Sequence, residues 1–232
     1  PSIVTGGQDT VGLRMPGHPV ALELLRRFAA ATGDHAGIAA PSANRFGRIS
    51  PTAAAHVREE LGDRVVLILD GGPCAVGIES TIVDCSCDAP VVLRPGHISP
   101  SHLEAVLGRC PMIETAAGAP RVSGSLAAHY APQTAMRLVA GSRLLDFLTA
   151  QRHKGDHCGV ISHNQPPQAG MPHLWRMLPA SPIGYAHDLY ATLRDMDQAG
   201  VSLIVVEALP GGPAWEAVAD RLRRAVAGSG QG

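Results

Sequence analysis

Cys158-Gly159-Val160-Ile161-Ser162 is a short, unbroken apolar run closed by a hydroxyl residue, and the chain repeats that theme on both sides of it. Met136 to Val139, Leu174 to Leu178 and Leu203 to Val206 read as further short strands. Helical stretches separate them. Ser142 to Arg152 opens on a capping serine, Tyr185 to Gln198 places Leu189, Leu193 and Met196 on one face, and Pro213 to Val226 closes the chain. Strands alternating with helices predict a small parallel, Rossmann-like sheet. No GxGxxG follows any of these strands, so dinucleotide binding is not supported.

Upstream, the apolar runs are shorter and end in polar residues. Val11 to Met15 predicts a strand closed by Pro16-Gly17, and His18 to Thr32 predicts a helix stopped by Gly33. Gly37 to Ala40 predicts a strand running into Pro41-Ser42-Ala43-Asn44. Ser50 is a natural N-cap with Pro51 at the first helical position, for a helix ending at Leu61-Gly62. Val65 to Leu69 is continuously apolar and predicts an interior strand. Thr81 to Val83 and Val91 to Leu93 predict two more strands, and Ser99-Pro100 opens a helix ending near Gly108. Residues 111–135 lose periodicity, gather Ala, Gly, Pro and Ser, and read as a linker carrying His129-Tyr130-Ala131-Pro132.

Composition narrows the function classes. The 232 residues are comfortable for two domains, and 45% hydrophobic content supports ordinary cores, aliphatic ones because aromatics are only 3%. A net charge of -1 gives no global pull toward nucleic acid or an anionic membrane. The apolar runs fall short of a membrane span. Five cysteines without a CxxC predict buried thiols in a reducing compartment rather than a disulfide scaffold. Eleven histidines show no metal-binding spacing. The chain opens at Pro1 with no targeting run, and a preceding segment is expected.

Small hydroxyl residues, one amide and one arginine sit at the ends of apolar runs, the usual way an α/β protein builds a polar ligand site. Ser50-Pro51 at a helix start suits a phosphate, although in isolation a plain cap is the favoured explanation, by about two to one. Arg94, just after a strand, can clamp phosphate or carboxylate, or form a surface salt bridge. Arg14 within a predicted interior strand calls for a fixed anion. Glu79 beside Ser80 reads as a hydrogen-bonding structural residue. Ser42 and Ser80 lack a nucleophile-elbow pattern and read as binding hydroxyls, and Cys74 reads as a packing thiol.

The ordered set Thr10-Val11-Gly12-Leu13-Arg14, Ala40-Pro41-Ser42-Ala43-Asn44, Ser50-Pro51-Thr52, Asp70-Gly71-Gly72-Pro73, Glu79 to Asp84, Leu93-Arg94-Pro95-Gly96 and His129-Tyr130-Ala131-Pro132 resembles the threonylcarbamoyl-AMP synthases, YrdC-like enzymes of transfer-RNA modification. The resemblance covers essentially the whole chain. It implies an α/β fold with an incomplete, twisted open-sheet YrdC-like domain over residues 1–110. A linker or lid over 111–135 and a Rossmann-like domain over 136–232 would follow. It implies formation of L-threonylcarbamoyladenylate and pyrophosphate from L-threonine, bicarbonate and ATP, with Mg2+ on the triphosphate. Thr10, Ser42, Ser50, Arg94 and Tyr130 would contact ATP, and Arg14, the Ala40 backbone and Ser80 would hold threonine. Asn44 would orient its loop, and Tyr130 would cover the adenylate as a lid. A cytoplasmic location, a downstream tRNA threonylcarbamoyl-transferase complex and at most weak RNA contact are the expected setting.

Two departures matter. The family's Lys-x-Arg motif is absent, since the single lysine, Lys154, lies in the wrong domain, so the isolated chain is expected to have little or no activity. The linker reads Ser123-Gly124-Ser125 where the family often has Pro-Gly-Met. Two other classes were weighed: a carbamoyl-transfer enzyme of the hydrogenase-maturation type, and a non-catalytic RNA-binding module. The His129–Pro132 motif with its following small domain argues against the first, and near-zero net charge against the second. A generic nucleotide-binding protein explains Ser50 and Arg94 but not the ordered motifs.

Overall fold

The computed structural model describes residues 2–33, 36–113, 119–167 and 174–230. The first part of the chain carries helices α1 (Ser2–Thr5), α2 (Pro19–Thr32) and α3 (Ala54–Leu61). Strands β1 (Ile82–Asp84) and β2 (Val91–Arg94), helix α4 (Pro100–Leu107) and strand β3 (Met112–Ile113) follow. The second part runs β4 (Met136–Val139), α5 (Gly141–His153), β5 (Cys158–Ser162), β6 (Leu174–Met177), α6 (Pro182–Gln198), β7 (Leu203–Glu207) and α7 (Glu216–Gly228).

β4 to β7 form a parallel sheet in the order β4-β7-β5-β6. Period-two alternation decides its two faces. Ile161, Ile204 and Val206 point toward α6 and α7, where Leu189, Leu193, Met196 and Leu222 complete the larger core. Cys158, Val160 and Val205 point the other way, onto Leu144 and Leu148 of α5. Strands covered on both faces must be apolar throughout, which is why these runs are continuous. Gly159 is required by this packing: a Cβ there would lie 2.5 Å from Met196 Sδ.

The first part differs from the pattern expected of it. β1 and β2 pair antiparallel and β2 and β3 parallel, giving a small mixed sheet. Val11–Met15, Gly37–Ala40 and Val65–Leu69 are not strands. Among the described residues no strand lies beside them, and Val66 is fully exposed. A strand is defined by its neighbour's hydrogen bonds, so an apolar run without one has nothing to order it. Arg14 therefore sits on an exposed loop rather than in an interior strand. α3 begins three residues later than expected, with Ala53 at its N-cap, so Ser50 caps nothing. Ser99 does cap α4, in a reciprocal box with His102. Of the cysteines only Cys158 is buried; Cys74, Cys85, Cys87 and Cys110 are exposed, against the expectation of buried thiols.

The first part is seated on α6 and α7. Gly77, at φ +84°, runs so close to α6 that a Cβ would lie 2.4 Å from the carbonyl oxygens of Ala186 and His187. Arg194 of α6 pairs with Glu60 at 2.6 Å and also donates to the Ile49 carbonyl. Gly77→Ala combines a left-handed φ with a backbone clash, whereas Gly47→Ala, at φ +77° with open space around its Cβ, has only the first penalty. Thermal melting is expected to fall by roughly 2–4 °C for Gly47→Ala, the cost of about 1 kcal/mol in a chain of this size, and by at least twice that for Gly77→Ala. Equal losses would show that the 77–81 loop does not press on α6.

Candidate functional site

At the carboxyl ends of a parallel sheet, backbone N–H groups usually hold a ligand. Here the Glu207 carboxylate accepts from the N–H groups of His163, Asn164 and Gln165 at 2.9, 3.0 and 3.3 Å. Burial pushes this carboxyl up, but these three N–H groups, assisted by His163, pull it below its usual range. The donors that a ligand would need are taken by the protein itself. The polar site lies instead where the first part meets α6, α7 and the linker.

Its centre is Ser80. Arg14 Nη2 donates to Ser80 Oγ at 3.0 Å, and Arg94 donates to the Ser80 carbonyl at 3.0 Å and to its Oγ at 3.4 Å. Arg94 is buried, at 3% exposure, and its remaining bond, 2.8 Å, goes to the Ser123 carbonyl. It is neither a surface residue nor part of an ion pair among the described residues. Burial lowers its pKa, which reflects the cost of keeping a cation there. Two guanidinium groups thus converge on one hydroxyl with no carboxylate between them, an arrangement that favours an anion.

Through Ser123 this centre adjoins a cavity of about 310 Å3 lined by Ser42, Asn44, Phe46, Ser123, Gly124 and His129, among others. Asn44 Nδ2 donates to the Arg45 and Arg48 carbonyls, at 2.8 and 3.0 Å, which holds the loop in shape and fixes which way the amide points. Its Oδ1 is then buried without a partner, as is His129 Nδ1. Burial and the Arg224, Arg94 and Arg221 guanidiniums lower the His129 pKa against the pull of Glu79, so its ring is neutral near pH 7. Both atoms are shut off from water without a partner, a cost built into the loop beside the cavity. Ala43, between Ser42 and Asn44, is held at φ +56°, a left-handed strain of about 1–2 kcal/mol. A second, open hollow of about 460 Å3 beside α3 is lined by side chains of both charges and contains none of these groups.

Behind the centre lies a buried charge network. Glu79 Oε1 accepts from Ser50 Oγ at 2.5 Å; Glu79 Oε2 accepts from Tyr190 Oη at 3.0 Å and Arg221 Nε at 2.7 Å. Burial pushes the Glu79 carboxyl up, but Arg221 and the hydrogen bonds from Ser50 and Arg221 hold it below its usual range. Three of its roughly four lone-pair directions are in use, so Glu79 is structural. The Ser50 proton is committed to it. Ser50 can therefore offer a ligand an acceptor oxygen, not the donor that a phosphate needs.

Tyr130 is placed differently from a lid. It is 1% exposed, stacks on Tyr190 at 5.8 Å, and lies under the Arg221 guanidinium, 5.3 Å from its ring centre. Its backbone is left-handed, at φ +60°. Its Oη presses on Gly124, where a Cβ would come within 1.7 Å, so the glycine of the Ser123-Gly124-Ser125 turn is obligatory. Thr10 and Ala40 lie on loops, and neither is hydrogen-bonded to the Arg14–Ser80–Arg94 group among the described residues. Tyr190, Arg194 and Arg221, all from the second part, were missed by sequence reading because they are single polar letters in amphipathic helices.

Residues 98–227 match the family model described as "Threonylcarbamoyl-AMP synthase, C-terminal domain". The chain belongs to the threonylcarbamoyl-AMP synthase family. Residues 1–96 match a second model, described as "Telomere recombination". The threonylcarbamoyl-AMP synthase of Bacillus subtilis is 35% identical over 97% of this chain, and that of Pyrococcus abyssi 33% identical over 97%. The chain spans 65% and 66% of their respective lengths. The crystal structure of P. abyssi Sua5 complexed with L-threonine superposes with a TM-score of 0.81 at 32% identity, covering 98% of this chain and 67% of that one. The match extends across both parts of this synthase-family chain, so its mixed sheet and parallel sheet form the two-part α/β fold of that family.

A carboxyl with a depressed folded pKa stabilises the fold above its unfolded value and loses that contribution as pH falls through the folded one. Glu79 is such a group, its ordinary value being 4.5. Melting temperature measured from pH 7 to pH 3 is expected to fall more steeply below about 4.5 in the parent than in Glu79→Gln. Parallel profiles would show that the Glu79 charge is not held by Arg221.

Proposed function

We infer that this chain carries the threonine and adenylate subsites of an L-threonylcarbamoyladenylate synthase. The observation that supports the reading most is the convergence of Arg14 and Arg94 on Ser80, beside a cavity lined by Ser42, Asn44 and His129. The P. abyssi relative is described with L-threonine bound, and the same substrate suits this centre. Its carboxylate would accept from Arg14 while its hydroxyl meets Ser80, with the Ala40 backbone alongside. Charge-assisted bonds of this kind are worth about 1.5–3 kcal/mol each.

In this reading the threonine amine, kept neutral, captures carbon dioxide from bicarbonate as a carbamate. A carbamate oxygen then bonds to the α-phosphorus of ATP, the bond from that phosphorus to the bridging oxygen breaks, and pyrophosphate leaves. Arg94 would face the phosphate side, and Ser42 and Thr10 the nucleotide. Ser50 would accept from a ribose hydroxyl. Tyr130 would act from beneath, fixing Gly124 and the cavity floor. Mg2+ would arrive on the triphosphate. The protein's contribution is positioning and charge neutralisation, with no covalent intermediate. No helix among the described residues is long and apolar enough to cross a membrane. The product would pass, in the cytoplasm, to a transferase complex acting on tRNA.

The test is pyrophosphate release from ATP by the natural full-length protein. Release requiring L-threonine and bicarbonate together is expected; release without threonine would overturn the reading. Arg14→Ala is expected to raise KM for threonine by about 10- to 100-fold with a smaller effect on ATP.

A further inference from the structure

Arg221 lies on α7, in the parallel-sheet part of the chain, yet its bonds converge on the site loops of the other part. Its side chain is completely buried. Nε donates to Glu79 Oε2 at 2.7 Å and Nη1 to Asp220 Oδ2 at 2.6 Å. Nη2 donates to the Pro95 carbonyl at 2.9 Å and, more weakly, to the Glu79 carbonyl at 3.4 Å. Glu79 immediately precedes Ser80, and Pro95 immediately follows Arg94. One guanidinium therefore grips the backbone next to both residues that form the centre of the site. An ion pair serving stability alone needs only the carboxylates; the two carbonyl bonds set the spacing of the loops.

We propose that Arg221 is a positioning residue for the threonine subsite, holding the Glu79–Ser80 and Arg94–Pro95 segments in register so that Ser80 and Arg14 meet the amino acid while Arg94 faces the phosphate side. This rests on the functional reading above. The two segments do not depend on Arg221 equally. Arg94 ends β2, which is paired on one side with β1 and on the other with β3. Ser80 lies in a loop before β1, steadied by Arg221 through Glu79 and by the close approach of Gly77 to α6. Loss of Arg221 moves Ser80 more than Arg94, so threonine binding suffers more than ATP binding. Lysine cannot replace it. An ammonium keeps the charge but has no planar fork to reach a carboxylate and two carbonyls at once.

The experiment compares Arg221→Lys with Leu222→Val in the natural full-length protein. Leu222 is buried on the same helix in the larger core and has no polar group with which to bond the site loops. Arg221→Lys is expected to raise KM for L-threonine at least tenfold while KM for ATP changes less than threefold. Leu222→Val is expected to lower the melting temperature and leave the threonine KM unchanged. An unchanged threonine KM in folded Arg221→Lys, an equal rise for both substrates, or the same rise in Leu222→Val overturns the assignment. Should Arg221→Lys fail to fold, the near-isosteric Glu79→Gln carries the test: a threonine KM raised at least threefold supports the assignment and an unchanged one overturns it. Parent protein that releases no threonine-dependent pyrophosphate sinks the functional reading, and this assignment with it. An active parent with an indifferent variant sinks this assignment alone.

Discussion

The site depends on one buried cluster of charge, Arg221 and Arg224 against Glu79 and Asp220. Arg221 pairs with both acids and Arg224 with Asp220, so the group is electrically balanced. Burying such a cluster costs desolvation, and replacing it by apolar side chains is often no worse for stability. What an apolar cluster cannot supply is direction. The Glu79 carboxylate orders Ser50 and Tyr190 as well as Arg221, and Arg221 orders two carbonyls. Removing any one member leaves an uncompensated charge in the interior, which makes the arrangement all-or-none.

This constraint explains the division of labour between the two parts. The parallel sheet has the topology of a ligand-binding fold, but its ligand crevice is closed by its own Glu207. What the sheet does is hold α6 and α7 rigid. Those helices then present Tyr190, Arg194 and Arg221 to loops that have little regular structure of their own. The linker completes the frame. The Ala131 N–H donates to the Gly47 carbonyl at 2.9 Å, the His129 N–H donates to the Arg224 carbonyl at 3.3 Å, and Tyr130 fills the space between. The motif that looked like a hinge-borne cover is, in this structure, a buried wedge.

The parallel sheet was legible in the sequence because its two central strands, β5 and β7, are apolar on both faces and its helices amphipathic; each of these elements announces its own burial. The upstream runs at 11–15, 37–40 and 65–69 carry the same letters but have no strand beside them, and an apolar run does not say who its partner is. The site was legible in part. Ser42, Asn44, Ser80 and Arg94 stand at the ends of apolar runs, where polar side chains suggest ligands. The use made of Ser50 was not legible, since Ser-Pro before a helical stretch reads as a cap, and only folding reveals that Glu79, 29 residues later, takes its proton. Arg221 was invisible for a related reason: Asp220-Arg221 among charged neighbours reads as a solvated helix face.

On the proposed reading the centre must recognise a zwitterion. Threonine brings one negative and one positive group, and a carboxylate lining the pocket would hold the amine protonated and unreactive. Glu79 is the acid nearest in sequence to Ser80, so its charge is the obvious hazard. The structure reduces that hazard by pairing: Arg221 neutralises its charge and, with Tyr190 and Ser50, occupies most of its acceptor directions, while Ser80 offers a neutral hydroxyl. On that reading the two guanidiniums, Arg14 and Arg94, would act on an amine with no free carboxylate opposing them, and nearby positive charge would favour its neutral form. A buried arginine from the far part of the chain would thus contribute to selectivity for a reactive amine by neutralising an acid.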